Sequence, residues 1–429
     1  MTEVATIHGF AKHPLRDFVL AEMAARPFTP MEAPCRLIHF AFMPEGEARA
    51  SDRGALRALC ESRGLPGPPS GAKYHRVDFG AFVLRWEGHS EFTTYTFELA
   101  GAAPDGPFQP PASSFLDLMR LVPAPGPLLV MADLHLMDAG REAATLDLFG
   151  AQELAFAEVK DGAASIVTDF REAEDGFVRL AILNRSLSAG QSGALAQRVL
   201  EIETYRTLTL LGLPQAQALG PSIRKIELQL PQMMEAMRAS SSVETNRALL
   251  DSLMAQAAEL ETAASAGTFR FGATRAYGEL IRLRLEAAGE RPVAGRASWT
   301  AFLGRRLQPA IRTCAAMQAR EEDLSRRLGR AAQLLRTRVD LDLETQNGEV
   351  LRAMNDRARL QLRLQQTVEG LSVAAISYYI ASLAHHVFEG MHAAGVPVDP
   401  AVATALAVPF VLAFVGYVVW RIRKKHEGE

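Results

Sequence analysis

The sequence predicts an α+β protein: a mostly antiparallel sheet with helices at the N-terminus, then a long-helix bundle or stalk, then a C-terminal two-helix transmembrane hairpin. Three observations predict this. Strand-like segments are confined to the chain before Ser188, and helical patterning runs almost unbroken after it. Near the C-terminus, two stretches carry no formal charge over the length needed to cross a bilayer.

The predicted strands alternate or run apolar, with β-branched and aromatic residues enriched. They are Cys35–Met43, Tyr74–Trp86, Glu91–Leu99, Leu128–Met137, Leu154–Val159, Ser165–Phe170 and Phe177–Leu183. The turn-like EGHS run between Trp86 and Phe92 predicts a hairpin. Helical patterns at Pro14–Ala25 and Glu47–Arg63 fall between strands, and GLPGPPSG (Gly64–Gly71) marks a loop. His13-Pro14 reads as a helix start with proline at the first helical position. Together these give an α/β domain over residues 10–187.

A helical domain is expected over 188–297, with helices Gly193–Leu211 (closed by LGLP), Pro221–Ala264 and Phe271–Ala288. A long stalk helix, 298–369, starts near Ser298. Its core positions Leu335, Val339, Leu343, Gln346, Val350, Met354 and Arg357 step by 4, 4, 3, 4, 4, 3. That eleven-residue repeat lies close to the natural helical period and predicts a nearly straight helix, coiled-coil-like in its packing. Arg336, Arg338, Glu349 and Arg352 lie on its other faces as a solvated surface.

Gly370–Phe388 and Ala401–Trp420 are the two candidate spans, residues 370–388 and 401–420, joined by a loop over 389–400. At ~1.5 Å per residue each extends roughly 30 Å, the thickness of the hydrocarbon core. Tyr417 and Trp420 sit where amphipathic aromatics favour headgroups. Arg352, Arg357, Arg359 and Arg363 precede the first span, and Arg421, Arg423, Lys424 and Lys425 follow the second in the tail, 421–429. The loop between them has no lysine or arginine. The positive-inside bias therefore predicts a multi-pass protein of the inner (cytoplasmic) membrane, with both termini cytoplasmic.

One stripe of the first span is polar. Tyr378, Ser382, His385, Glu389 and His392 are spaced 4, 3, 4, 3, which places them within about an 80° arc. Such a face is expected to point into a bundle or a water-filled path. His385, Glu389 and His392 have the spacing and donor types to meet a divalent cation, while the commoner reading is that Glu389 and the outer histidines sit at the interface and simply meet water. Symmetric self-association would turn the stripe into a ring.

Composition bounds the rest. The chain has 429 residues, 48% hydrophobic and 22% charged, enough for two or three globular units. A net charge of −3 gives no reason to expect a nucleic-acid partner. Cys35, Cys60 and Cys314 fit neither a disulfide framework nor a CxxC metal pattern, which suits a reducing compartment. The N-terminus shows no apolar signal region. His75, Asp78, Glu87, His89 and Glu91 gather around the predicted hairpin, as a metal or acid–base site or as the commoner charged strand edge. Glu201, Glu203, Tyr205 and Arg206 suggest an internal ion-pair network. With no GxxxxGK[ST], GxGxxG or GxSxG run, nothing points to an enzyme or a bound cofactor.

The runs His13-Pro14-Leu15-Arg16, Ala25-Arg26-Pro27-Phe28, Trp86–Phe92, Leu200–Pro214 and Gln366–Tyr379 resemble a bacterial family of uncharacterised membrane-anchored proteins of the DUF3422 type. That resemblance implies anchoring and little about activity. In layout, an α/β domain, a long helix entering a first span, a short loop, a second span and a basic tail look like CorA-type magnesium channels. There Gly-Met-Asn closes the first span; here Gly390-Met391-His392 stands in its place, with histidine for asparagine. This weaker resemblance implies a homo-oligomer conducting a divalent cation, magnesium or another, as substrate. Tyr378, Ser382, His385 and Glu389 would line its path, and Gly390, Met391 and His392 would form its outer mouth. The alternative is a tethered cytoplasmic sensor or scaffold whose hairpin only anchors it in lipid.

Overall fold

The computed structural model describes residues 6–8, 10–17, 19–20, 28–101, 106–109, 119–120, 123–150, 153–240 and 242–426. Half of the expected helix Pro14–Ala25, residues 18 and 21–25, lies outside these, as do Arg26 and Pro27; the described part is helical at Arg16–Asp17 and Val19–Leu20. The fold is the predicted one, an N-terminal sheet with helices followed by long helices that end in an apolar pair. By its internal contacts the chain divides into two units, residues 1–236 with 252–331, and residues 237–251 with 332–429.

In the first unit, a short hairpin pairs β1 (Thr6–Ile7) with β2 (Phe10–Ala11). Nine strands form the main sheet: β3 (Cys35–Phe42), β4 (Tyr74–Asp78), β5 (Val83–Gly88), β6 (Thr93–Ala100), β7 (Leu128–Asp138), β8 (Ala155–Val159), β9 (Ala164–Glu172), β10 (Val178–Asn184) and β11 (Arg291–Pro292). Their order is β11-β8-β9-β10-β7-β3-β6-β5-β4, and every pair is antiparallel except β10 with β7. The expected single strand Tyr74–Trp86 is instead two, β4 and β5. Phe79 N–H donates to Phe82 O at 2.9 Å, and Gly80 takes a positive φ of 83° that closes the turn. The β5–β6 hairpin across EGHS forms as predicted.

Strand alternation sends side chains to two different layers. Leu37, Leu134, Leu180, Ile166 and Ala157 face a helix, α3 (Ala189–Leu210), together with Trp299 and Phe302. On the reverse face, Ile38, Leu84, Trp86, Tyr95 and Phe97 pack on α1 (Glu47–Ser62), whose Asp52, Leu56 and Cys60 are buried at i, i+4 and i+8. Met137, Phe156, Val167 and Leu183 make a smaller core beside α2 (Glu142–Asp147).

Ser188 starts α3 with a capping box: its hydroxyl accepts from Gln191 N–H while the Gln191 side chain accepts from Ser188 N–H. Next come α4 (Gly212–Ala239) and α5 (Val243–Ala288). The sequence predicted a helix from Pro221 and a break near Ala264–Phe271; both boundaries differ. Pro214 sits in the first turn of α4, where its missing N–H costs nothing, and Pro221 and Pro231 are carried inside the helix. The break falls at Ser240–Ser242 instead, where Ser240 and Ser242 bond locally to backbone groups and compete with helix continuation. The last elements are α6 (Trp299–Ala393, 95 residues) and α7 (Pro400–His426, 27 residues).

Gly193 on α3 lies against Thr29: a Cβ there would stand 1.8 Å from the Thr29 carbonyl oxygen. Gly193→Ala is expected to destabilise the protein by about 1–3 kcal/mol, the usual cost of forced overpacking. Chemical unfolding of the purified protein checks it, with Gly190→Ala, which meets open space, as the control.

Candidate functional site

The second unit holds the residues singled out on the first candidate span. Ser382 and His385 are half-buried on α6 and Tyr378 is exposed. His385 Nδ1 lies 2.9 Å from Thr404 Oγ1 on α7, and the Thr404 hydroxyl in turn donates to Pro400 O at 2.6 Å. The threonine proton is thereby spent, so the imidazole donates to it through Nδ1–H. Glu389 is exposed and stands between two imidazoles, 3.5 Å from His385 Nε2 and 3.2 Å from His386 Nδ1. His392 is separate: its Nδ1 donates to Val398 O at 2.9 Å and ties down the loop that holds Gly395 at φ 90°. Gly390 and Met391 are exposed in the last turn of α6. Among the described residues, no group of three or more His, Cys, Asp or Glu side chains is arranged to hold a metal ion. Arg421 is exposed on α7; the side chains of Arg423, Lys424 and Lys425 lie outside the described residues.

The first unit holds a second constellation, on the sheet face that α3 covers. Of the five residues grouped around the hairpin, three point into it and two do not. Half-buried His75 bonds Pro66 O at 2.9 Å, and exposed Asp78 accepts from Gly80 N–H at 2.7 Å in the β4–β5 turn. Glu87, His89 and Glu91 join a layer that also takes in His39, Arg85, Thr96, Glu98 and Thr204. Arg85 is buried with its Nε 3.4 Å from Glu87 and Nη1 4.0 Å from Glu98. Arg76 reaches the other Glu98 oxygen at 3.0 Å, and His89 lies 3.5 Å from Glu87. Glu91 pairs with Arg270 and accepts from Tyr277 OH at 2.8 Å, both on α5. Glu201 on α3 pairs with Arg284 of α5.

His39 sits at the centre, fully buried. Its Nε2 is 3.0 Å from Thr204 Oγ1, whose proton goes to Leu200 O at 2.9 Å. Nε2 must therefore donate, which leaves Nδ1 to accept from the Thr96 hydroxyl at 2.8 Å. That is a neutral imidazole. Burial, with the nearby Arg85 charge acting in the same direction, pushes its pKa down to about 3. A cavity of about 20 Å³ lies beside it, lined by His39, Arg85, Glu87 and Tyr205 among others. That is room for one water and no more. Each buried carboxylate here faces a guanidinium. The arrangement therefore acts as an ion-pair network binding the β5–β6 hairpin to α3 and α5, because a cation already fills the place a metal would take.

Two further buried carboxylates lie on the opposite face, and sequence reasoning missed both. Asp52 of α1 accepts from Trp86 Nε1–H at 2.9 Å and Tyr95 OH at 2.5 Å. Burial raises its pKa, against those hydrogen bonds. Asp133 takes a two-pronged bond from Arg36, at 3.0 and 2.8 Å, and lies 3.3 Å from His135. Burial pushes its pKa up, but the His135 and Arg36 bonds outweigh it and hold the carboxyl below its usual range. For Asp133 the signal was a charged residue inside an otherwise apolar run; Asp52, between Ser51 and Arg53, gave only its i, i+4, i+8 spacing with Leu56 and Cys60. Of the network suggested for α3 one pair forms: Glu203 pairs with Arg206, which stacks 5.2 Å from the Phe170 ring centre, while Glu201 pairs with Arg284 of α5 instead.

Two outcomes are expected from these groups. His39 charges in the unfolded chain near the ordinary imidazole value of 6.5 but stays neutral in the fold until about 3. Its contribution to stability is present above ~6.5 and lost as pH falls from there, with a slope of up to about 1.4 kcal/mol per pH unit. His39→Gln, which keeps a donor and an acceptor, should flatten the acid limb of stability measured by denaturant unfolding between pH 7 and 4. Asp133→Ala leaves Arg36 buried without its partner and should cost about 3–5 kcal/mol in the same assay.

The comparisons bear on the whole chain. The model of a family described as a protein of unknown function, DUF3422, matches residues 11–426. No curated protein and no solved structure matches. The match spans nearly every element described above, from the β2 strand to the end of α7. The chain is therefore a member of the DUF3422 family.

Proposed function

We propose that this protein is a membrane-tethered sensor or scaffold, whose C-terminal hairpin holds it in the inner membrane with the N-terminal domain and the basic tail on the cytoplasmic side. The last part of α6 and residues Pro400–Ile422 of α7 are each long and apolar enough to cross, and both are almost wholly exposed. A soluble protein would have to bury such faces. The observation that carries the tether reading is that the hairpin closes on itself. Ser377 and Val415 are buried, Ala381 and Ala407 are half-buried, and His385 spends a ring nitrogen on Thr404. Small residues with one cross-helix polar bond are how membrane helices associate. The charge distribution supports the orientation: arginines and lysines flank the pair on one side and none lies in the loop.

One observation favours a second reading, a homo-oligomeric CorA-like path for a divalent cation as substrate. Glu389 stands exposed at the loop end of α6 with His385 and His386 both within 3.5 Å. Carboxylate and imidazole at a pore mouth would attract such an ion. In that reading Tyr378, Ser382, His385 and Glu389 line the path, with Gly390, Met391 and His392 at its mouth.

Two measurements test these readings. After alkaline carbonate washing the full-length protein is expected in the membrane pellet, with its tail cut by protease only in inside-out vesicles. Release into the supernatant would remove the anchoring reading. Cation flux in proteoliposomes is expected to stay at the lipid background. A flux that His385→Ala with Glu389→Ala abolishes would replace the tether with the path.

A further inference from the structure

Among the described residues, one long face of α6 is left exposed within its own unit. Leu335 and Val339 are buried on it, next to the α4–α5 turn, where Arg338 donates to Met237 O at 2.8 Å and to Ser240 O at 2.5 Å. Asn246 fixes the same turn to Asp342 at 3.0 Å. Beyond it the helix continues bare. Val350, Met354, Leu360, Leu364, Val368 and Leu371 are between 57% and 74% exposed. At about 100° per residue they share an arc of roughly 120° with the buried Leu335 and Val339, so the stripe is one surface, covered at one end and open beyond.

The other helix of the unit does not cover it. Val373, Ser377, Ala381, Ala384 and Phe388, less exposed residues of α6 alongside α7, fall roughly opposite that arc, and His385, bonded to Thr404 of α7, lies at its edge; on the stripe's own side Leu371, Ala375 and Tyr378 are exposed and Ser382 is half-buried. Val350, Met354, Arg357, Gln361, Leu364, Val368 and Leu371 step by 4, 3, 4, 3, 4, 3. That is three heptads of the pattern by which two helices wind around each other left-handedly.

We propose that the occupant of this face is the same stretch of a second copy of the chain, parallel and in register. The parallel direction rests on the anchoring reading: copies that enter one membrane through the same helix end all point the same way. A partner of another sequence would have to match both the length of the stripe and its two polar steps, Arg357 and Gln361. An identical copy in register sets Arg357 against Arg357 and Gln361 against Gln361, polar core positions of the kind that fix register at a cost in stability. The surface also continues the face that carries Leu335 and Val339, which is already built for helix packing.

Cysteine cross-linking of the full-length protein in membranes tests this, since Cys35, Cys60 and Cys314 are all buried. Leu364→Cys on the stripe is expected to shift the chain to a covalent dimer under mild oxidation. Gln366→Cys, on the far side of the helix, should stay single. In mild detergent, light scattering should give the mass of more than one chain, lost in Leu360→Glu with Leu364→Glu. Equal cross-linking at both positions, or a wild type that is single in detergent together with a Leu364→Cys variant that stays uncross-linked in membranes, overturns the proposal. Carbonate washing of the same samples separates the two failures. A chain that is retained yet single leaves anchoring intact and sinks the second copy. A chain that is released but cross-linked at Leu364 sinks anchoring and keeps the face.

Discussion

An isolated helix cannot shield its own apolar side chains, and α6 has to find cover over 95 residues. It finds it differently at each level. Trp299, Phe302, Leu303 and Leu307 enter the sheet core. Leu335 and Val339 are buried. From Val350 onward, apart from the face against α7, the apolar residues are exposed. The rest of the architecture follows from that demand, because a helix this long holds its direction only where something packs against it. The proposed lipid and second copy are the two environments that would complete the sequence of partners.

The sheet meets a different constraint. Its α3-covered face is not wholly apolar, and Arg85, Glu87, Glu98 and His39 are buried there at a desolvation cost that their pairing only offsets. A purely hydrophobic layer would hold α3 as well. What the charges add is position: Glu91 can be satisfied only where Arg270 and Tyr277 meet it, and Glu201 only where Arg284 does. The β5–β6 hairpin, α3 and α5 are thereby locked at one register, which a greasy interface would not dictate. His39 is held neutral between two threonines, and the layer is expected to lose stability in acid, where the unfolded chain's imidazole charges first.

Much of this was legible in the sequence, for identifiable reasons. Alternation in Glu91–Leu99 and Leu128–Met137 located two central strands to within a residue or two, because Tyr95, Phe97 and Leu99 recur on one face of the first and Val130, Ala132, Leu134 and Leu136 on one face of the second. The long helix and the two apolar stretches were legible because length and composition alone define them. The buried ionic layer was not. Arg85, Glu87, Thr94, Thr96 and Glu98 alternate with apolar residues just as a solvated strand face does, and only the tertiary seating of α3 and α5 tells the two apart. The break at Ser240–Ser242 was misplaced because helical propensity is nearly continuous there, so the serines' local bonds decided it. On the polar stripe, spacing alone could not show that Glu389 would meet His386 while His392 turned to Val398.

The tether and the cation path are less opposed than they look, because both depend on which side of α6 is left free. With α7 seated along Ser377 and Ala381, the free side carries Leu364 and Leu371 first, then Tyr378, Ser382 and Glu389 farther along the same helix. A second copy packed on the apolar stretch would bring the polar stretch of each chain toward the other at the depth of the proposed bilayer. Two helices so joined enclose no lumen: at an interaxial distance of ~8–10 Å their side chains fill the space between them. A pair therefore makes the stripe an internal hydrogen-bonding seam and the hairpin an anchor. Only a ring of more copies would open the same residues onto water. Stoichiometry along Val350–Leu371 thus decides the function of Tyr378, Ser382 and Glu389, although no residue in the two stretches is shared.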